Sequence, residues 1–275
     1  MGKANRLFIR RWLPERDLVV VADSGYSARD LLHACQHLAK PVTVITRLRL
    51  DAALYEPAPP RETGQMGRPR LKGKRLPPLT KQLSDPKTGW QSTTIIWYQD
   101  QEKNVEVASG TALWYHTGKP PVAIRWVLIR DPAGKFDTQA LLCTNLDIAP
   151  SQIIAWFILR WCLEVTFQEV RLHLAVETQK QWSDLAIFRT TAILFGLFTI
   201  LALVAHDLDQ QESFSPRCAP WYLKPLPTFS DALAKVRERL WRTSELFDTS
   251  SSDHEGKQIP VLLLDPFIQT LGYAT

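Results

Sequence analysis

Three charged residues recur at the spacing of one helix face in the segment Phe157-x2-Arg160-x3-Glu164-x6-Arg171. At ~100° per residue, Arg160, Glu164 and Arg171 fall within ~40° of one another, so a helix would present a carboxylate beside two guanidinium groups. A second carboxylate, Asp23, ends an apolar and β-branched run. Carboxylates bind hard divalent cations and guanidinium groups bind phosphate, so these residue types are suited to metal-dependent phosphodiester chemistry.

Two other interpretations fit the same residues. Arg160 and Glu164 are four residues apart, which also suits an ordinary ion pair on a helix surface that contributes ~0.3–0.5 kcal/mol. Alternatively, the protein is a metal-dependent nuclease of an unrelated kind, which would need a third acid near the first two. The acids to consider for that role are Asp131, Asp137 and Asp147.

The apolar pattern predicts the elements that would position these residues. Residues 18–22 and 42–46 are typical of strands buried on both faces, and the stretch between them has helical periodicity. In such a β-α-β unit the strands are parallel, and Asp23 then lies at the carboxyl end of its strand, where α/β sheets place their chemistry. Residues 147–174 predict one helix with Pro150 in its first turn.

The remaining segments predict a mixed architecture. Residues 55–89 are rich in proline, glycine and basic side chains, and we predict a mobile surface segment. Four apolar or alternating runs predict an antiparallel β-rich insertion, at residues 93–98, 105–113, 123–129 and 141–144. Helices are predicted at residues 185–208 and 230–246, followed by a short helix near the C terminus.

The composition narrows the class of protein. The chain has 275 residues, of which 45% are apolar, and a net charge of +5, so we expect a globular protein with an anionic partner such as nucleic acid or anionic lipid. The four scattered cysteines predict free thiols in a reducing compartment. The apolar run at residues 192–205 is shorter than the ~20 residues a bilayer requires. We therefore predict a buried core helix there and no membrane partner.

The helix segment resembles the Tyr-x2-Arg-x3-Glu-x6-Lys signature of bacterial insertion-sequence DDE transposases, which have a ribonuclease H-like core. The Arg and Glu match outright, Phe157 stands for the tyrosine and Arg171 for the lysine. Asp23-Ser24-Gly25-Tyr26 fits the Asp-x-Gly-Tyr/Phe context of the family's second acid. The family also has a β-rich insertion before its third acid, which the interval between Asp23 and Glu164 accommodates.

The resemblance implies an endonuclease that cleaves and transfers double-stranded DNA at transposon ends by two-metal phosphoryl transfer. Asp23 and Glu164 are expected to be the catalytic acids and the ligands of two Mg²⁺ or Mn²⁺ ions. Phe157, Arg160 and Arg171 are expected to bind DNA, the arginines through backbone phosphates. The resemblance further implies a homodimer when the protein is complete, in the bacterial cytoplasm and associated with the nucleoid.

The predicted fold is α/β, with an incomplete ribonuclease H-like core. Its parts are a partial core at residues 1–48, a basic loop plus the β-rich insertion at 49–146, core helices with the Glu motif at 147–210 and a helical C-terminal region at 211–275. The family's first Asp lies on an earlier strand, but only Asp17 precedes Asp23, in a loop. We therefore expect an upstream transposase segment to supply that acid, and the chain alone to be inactive.

Two alternatives accompany this interpretation. The first is a non-catalytic DNA-binding or interaction protein that derives from a decayed or domesticated transposase copy. The second is local to Gly67-Arg68-Pro69-Arg70, followed by Lys72 and Lys74. This segment resembles arms that enter the AT-rich minor groove, so Arg68, Arg70, Lys72 and Lys74 are expected to bind DNA, but it also fits a solvated loop.

Four tryptophans lie in the insertion: Trp90, Trp97, Trp114 and Trp126. Most of them should be core, and one could stack on an extruded base, as an aromatic residue does in hairpin-forming relatives. The sequence does not choose among the four.

Overall fold

The structure is a computed structural model that describes residues 9–60, 66–97, 101–134, 136–178, 180–211, 216–218, 221, 223–224, 226–243 and 261–273. The chain divides into two compact units, Met1–Leu163 and Glu164–Thr275. The first unit contains all the described strands, and the described part of the second is helical.

The first unit is built on one seven-stranded sheet. Its strands are β1 Val19–Val21, β2 Thr43–Leu48, β3 Leu54–Tyr55, β4 Gln91–Ile96, β5 Glu102–Trp114, β6 Val122–Arg130 and β7 Gln139–Cys143. The strand order is β1-β2-β7-β6-β5-β3, and β4 also pairs with β5. β1 and β2 are parallel, whereas all the other pairs are antiparallel. The predicted parallel pair and the predicted antiparallel insertion are both confirmed.

Each face of the sheet has its own apolar cluster. Alternation along β2 places Val44 with the cluster on the side of helix α1, Arg29–Gln36, and Ile45 with the cluster on the side of helix α3, Pro150–Leu159. Helix α2, Leu79–Ser84, contributes Leu79 to the first cluster. The second, here called the α3-face cluster, joins Ile45, Val127 and Leu141 to Ile153, Ile154, Phe157 and Ile158 of α3.

Three expectations about the first unit are wrong. β1 is not buried on both faces: it is an edge strand of the described sheet, and Val19 is 37% exposed. The single helix predicted for residues 147–174 is broken at Arg160 into α3 and helix α4, Trp161–Leu174. Residues 55–89 are not wholly mobile, because the backbone of residues 73–76 pairs with that of residues 54–56 along β3.

The second unit contains most of α4 and three further helices, α5 Asp184–Gln211, α6 Phe229–Thr243 and α7 Val261–Gly272. α5 packs on α6, and α6 packs on α7. The ring of Phe198 stacks on that of Phe229 at 4.7 Å, and the ring of Phe195 meets that of Phe167 edge-on at 5.2 Å.

α5 exists as predicted, but the expectation that it is a buried core helix is wrong. Ala205 is the only buried residue of this helix. By length and composition it could cross a membrane, with a mean hydropathy of 2.1 over its most apolar window. All four cysteines are free; Cys35 and Cys143 are buried, whereas Cys162 and Cys218 are exposed.

Candidate active site

Asp23 lies just beyond the carboxyl end of β1, as predicted, and is exposed. Its backbone is extended and leads into a single 3-10 turn, Ser24–Tyr26. The Asp23 carbonyl oxygen accepts hydrogen bonds from the Thr46 hydroxyl at 2.8 Å and from the Tyr26 amide at 2.9 Å. Because Thr46 is fully buried in β2, it fixes the backbone of Asp23 to the sheet and leaves the carboxylate free to face solvent.

The strand directions determine which other residues share this edge of the sheet. β2 runs parallel to β1, and β6 runs the same way as β2 because both are antiparallel to β7. The carboxyl ends of β1, β2 and β6 therefore meet at one edge, here called the carboxyl edge. The end of β4 and the start of β5 lie at this edge as well, because Ile96 of β4 pairs with Glu102 of β5 and Glu106 of β5 pairs with Arg130 at the end of β6.

Arg47, near the end of β2, lies at the carboxyl edge on the same face as α3. Its guanidinium carbon is 5.8 Å from the centre of the Phe157 ring, and that of Arg160 is 5.7 Å from the same ring. Phe157 itself is 5% exposed and belongs to the α3-face cluster. The ring therefore packs against two guanidinium groups and exposes little of its own surface. This position does not suit the predicted direct contact of Phe157 with DNA.

An aromatic pair lies at the same edge. The rings of Trp97 and Phe136 stack at 5.2 Å, and the Lys103 ammonium lies 5.3 Å and 4.3 Å from their respective centres. Lys103 also pairs with Asp131 at 3.4 Å. Trp97 is half-buried, whereas Trp114 and Trp126 are each 8% exposed and belong to the core, as expected for most of the tryptophans.

None of the three additional acids joins Asp23 in a cluster. Asp147 follows β7, whose carboxyl end is at the opposite edge because β7 is antiparallel to β2. The Asp131 side chain is 3% exposed and pairs with Lys103. Asp137 is exposed and also lies outside any cluster. Among the residues that the structure describes, no group of three His, Cys, Asp or Glu side chains could hold a metal ion.

Two predicted site residues belong to the second unit. Glu164 is exposed in the first turn of α4. Arg171, in the last turn, forms a two-pronged ion pair with Glu177, with nitrogen–oxygen distances of 2.8 Å. Both side chains are more than half exposed, so this pair contributes little and Arg171 can exchange Glu177 for a phosphate.

The basic segment is anchored at one end. The Lys72 ammonium lies 3.9 Å from the centre of the Tyr55 ring and 4.5 Å from that of Tyr115. The neighbouring Gly73 tolerates no side chain, because a Cβ would come within 2.5 Å of the Pro57 carbonyl oxygen. Arg68, Arg70 and Lys74 remain exposed. The predicted arm is therefore a short basic stretch tethered through Lys72 to the β3 edge.

Residues 6–121 match the family model described as DDE superfamily endonuclease. The matched part, which is less than half of the chain, includes Asp23, Arg47 and the basic segment. It ends before Glu164. No curated protein matches the chain.

Nucleases of the DDE superfamily generally use divalent metal ions. The exposed Asp23 and Glu164 carboxylates offer the oxygen ligands that Mg²⁺ and Mn²⁺ prefer, so the ligand chemistry fits. The number of ligands does not, because the described residues contain no group of three His, Cys, Asp or Glu side chains that could hold a metal ion.

Sequence reasoning missed three residues at the carboxyl edge. Thr46 and Arg47 alternate along β2. Thr46 therefore lies on the α1 side of the sheet, where it holds Asp23, and Arg47 lies on the α3 side beside Phe157. The signal for Arg47 in the sequence was a basic residue at the end of the second parallel strand. Lys103 carried no signal, because its aromatic partners come from separate loops.

Proposed function

We propose that this chain supplies catalytic residues of an insertion-sequence DDE transposase, which cleaves and transfers double-stranded DNA at transposon ends. The observation that carries the proposal is the match of residues 6–121 to a DDE superfamily endonuclease, with Asp23 at the carboxyl edge inside the matched part. The expected setting is the bacterial cytoplasm, in association with the nucleoid.

Asp23 and Glu164 are the proposed catalytic acids, and they would supply two of the carboxylate ligands that a complete two-metal site for Mg²⁺ or Mn²⁺ needs. Arg47 and Arg160, supported by the Phe157 ring, would bind backbone phosphates at the carboxyl edge. Arg171 would bind a further phosphate after releasing Glu177. Phe157 thus acts by positioning the two arginines.

We further propose that Trp97, backed by Phe136, is the tryptophan that stacks on an extruded base. It is half-buried at the carboxyl edge, and the Lys103 ammonium beside it suits the phosphate of the same nucleotide. Trp90 is less suitable, because the Arg130 guanidinium covers its ring at 4.0 Å.

The purified chain should bind duplex DNA but neither nick nor join it in Mg²⁺ or Mn²⁺, because two carboxylates are too few for two ions. The measurement is a gel assay of plasmid nicking and oligonucleotide strand transfer. Addition of a polypeptide segment that brings the missing Asp should start cleavage, and Asp23→Asn should stop it. Robust strand transfer by the chain alone would overturn the proposed need for that segment.

The same assay distinguishes a transposase from the alternative, a non-catalytic DNA-binding or interaction protein. A decayed or domesticated copy that only binds DNA would retain binding through its arginines but would gain no cleavage from the added segment. Its binding would also be indifferent to divalent metal and to the Asp23→Asn substitution.

The basic segment yields a prediction on DNA affinity. Neutralising Arg68 and Arg70 with glutamine should flatten the dependence of log K on log salt by up to ~1.8, because each phosphate that the protein neutralises adds ~0.9 to the slope. Titrations by fluorescence anisotropy at several salt concentrations measure this slope. The matched control replaces two other exposed basic residues, Lys81 and Lys87, with glutamine. Equal slopes for the Arg68/Arg70 variant and the wild type would reject the arm.

A further inference from the structure

The predicted arm, residues 67–74, and Asp23 belong to opposite sides of the sheet. In the strand order β1-β2-β7-β6-β5-β3, β1 leads into Asp23 at one side and β3 is at the other. Residues 73–76 continue the sheet beyond β3, because Arg75 forms a bridge with Tyr55. The path from β1 to the end of the arm therefore crosses six inter-strand spacings, which at ~4.8 Å each amount to ~29 Å.

The strand register adds a displacement along the strands. The parallel register of β1 with β2 places Asp23 level with Arg47. The pairings through β7 and β6 carry that level to Ser109 of β5. Tyr55 pairs with Leu113, four residues further along β5, which adds ~13 Å. The end of the arm is therefore about 30 Å from Asp23, equal to ~9 base pairs of duplex DNA.

The arm is held at this place by contacts on both sides of its backbone turn. The Lys72 ammonium lies over the rings of Tyr55 and Tyr115, at 3.9 Å and 4.5 Å. The Gly73 amide donates to the carbonyl oxygen of Glu56, and the Glu56 amide donates to the carbonyl oxygen of residue 74, both at 2.9 Å. Lys72 is therefore an anchor for the arm, and its charge is already in contact with two aromatic rings.

The anchor and the carboxyl edge face the same side of the sheet. Leu54 belongs to the apolar cluster on the α1 side, so Tyr55, the next residue of β3, faces the α3 side. Lys72 lies over the Tyr55 ring, and Arg47 lies over the Phe157 ring on that same side. One straight duplex can therefore contact both regions, provided that it is long enough to span the interval between them.

We propose that Arg68 and Arg70 form a second DNA-contact site, which binds the duplex ~9 base pairs away from the phosphates held at the carboxyl edge. The inference rests on the proposed function for the identity of the ligand, and it adds the number of contact sites and their spacing. Arg68 and Arg70 precede Lys72 by four and two residues. An extended chain of four residues reaches ~14 Å, so neither arginine can reach the carboxyl edge from its anchor.

The number of DNA molecules bound per chain tests the spacing without knowledge of the target sequence. Isothermal titration calorimetry at low salt, with DNA in excess, compares hairpins whose stems have about 6 and about 20 base pairs. The short stem cannot span the interval, so the full chain should bind two short hairpins. The long stem occupies both sites at once, so the chain should bind one long hairpin, and more tightly.

Substitutions assign each bound hairpin to its site. Arg68→Gln combined with Arg70→Gln should leave one short hairpin per chain and weaken the long hairpin about tenfold. Arg47→Gln should also leave one short hairpin, and the three substitutions together should leave none. The matched control, Lys81→Gln combined with Lys87→Gln, changes the charge equally and should still bind two.

A single short hairpin per wild-type chain would overturn the proposal, because the arm and the carboxyl edge would then not be separate sites. This result comes from the unsubstituted protein, so it does not depend on the folding of a variant. In that case the proposed function would stand, since DNA would still be bound. Failure of the chain to bind either hairpin would instead refute the proposed function together with the second site.

Discussion

Phe157→Ala should destabilise the first unit by about 3–4 kcal/mol. The ring is 5% exposed and packs with three isoleucines of α3, so its removal leaves a cavity within the α3-face cluster. Because the guanidinium groups of Arg47 and Arg160 both lie over this ring, the variant should also lose affinity for DNA. Denaturant unfolding, monitored by hydrogen exchange in residues 150–159, measures the loss of stability. A binding titration measures the loss of DNA affinity.

Leu159→Ala is the matched control, since Leu159 lies in the same helix and is 60% exposed. Its effect on the free energy of unfolding should remain within ~0.5 kcal/mol. A loss of DNA affinity in Phe157→Ala without any loss of stability would contradict the account, because it would mean that the phenylalanine contacts DNA directly.

Asp231→Asn should destabilise the second unit by about 3 kcal/mol. Asp231 is 1% exposed, and its carboxylate accepts hydrogen bonds from the Thr228 amide at 2.9 Å, the Thr228 hydroxyl at 2.7 Å and the Lys224 ammonium at 3.0 Å. The Tyr273 hydroxyl, from the end of α7, donates to it at 3.2 Å. Loss of the negative charge leaves Lys224 without its partner and weakens the junction of α6 with α7.

The pH dependence follows from the same contacts. Burial alone would raise the pKa of Asp231, but the hydrogen bonds from Thr228 and Lys224 outweigh it and lower this pKa to about 2. The unfolded chain has an aspartate pKa of ~3.9, so the stabilisation is complete above ~pH 4 and is lost as the pH falls toward 2. Burial, followed by the charge of Asp231, raises the pKa of Tyr273 to about 12.

Asp265→Asn is the control for the second unit. Asp265 pairs with Arg242 at 2.8 Å, but its side chain is 57% exposed, so the substitution should cost less than ~1 kcal/mol. Hydrogen exchange of residues 229–243 between pH 2 and 6 compares the two variants with the wild type. If Asp231→Asn and wild type lost protection equally as the pH falls, Asp231 would not be the titrating group.

The sequence alone predicted which secondary-structure elements carry the candidate site residues. The apolar run before Asp23 fixed its place at the end of a parallel strand, and periodicity placed Glu164 and Arg171 on a helix. The break at Arg160 was not readable, because helix propensity continues through it. The burial of Phe157 was also missed, since a signature match says which residue type is present but not which neighbours cover it.

Long-range pairing explains the other differences. β1 has the composition of a central strand but is an edge strand of the sheet that the described residues form, because pairing partners are not encoded in a strand's own residues. Likewise, the composition of the basic segment predicted a mobile loop, whereas the segment is anchored by backbone pairing of residues 73–76 with residues 54–56 and by the contact of Lys72 with Tyr55 and Tyr115. For α5, composition correctly predicts that the helix exists but wrongly predicts that it is buried.

The central claim is that Asp23 and Glu164 hold divalent metal together, and iron-directed cleavage of the polypeptide tests it most directly. Fe²⁺ replaces Mg²⁺ at oxygen-ligand sites, and with ascorbate and peroxide it cuts the backbone next to its ligands. With duplex DNA present, whose phosphates supply further ligands, the chain should be cut near residue 23 and near residue 164.

Excess Mg²⁺ should suppress both cuts, and Asp23→Asn or Glu164→Gln should each remove both, whereas Asp51→Asn, at an exposed acid elsewhere, should change neither. Persistence of the cut near residue 164 in Asp23→Asn, or the absence of both cuts in the wild type, would contradict the claim.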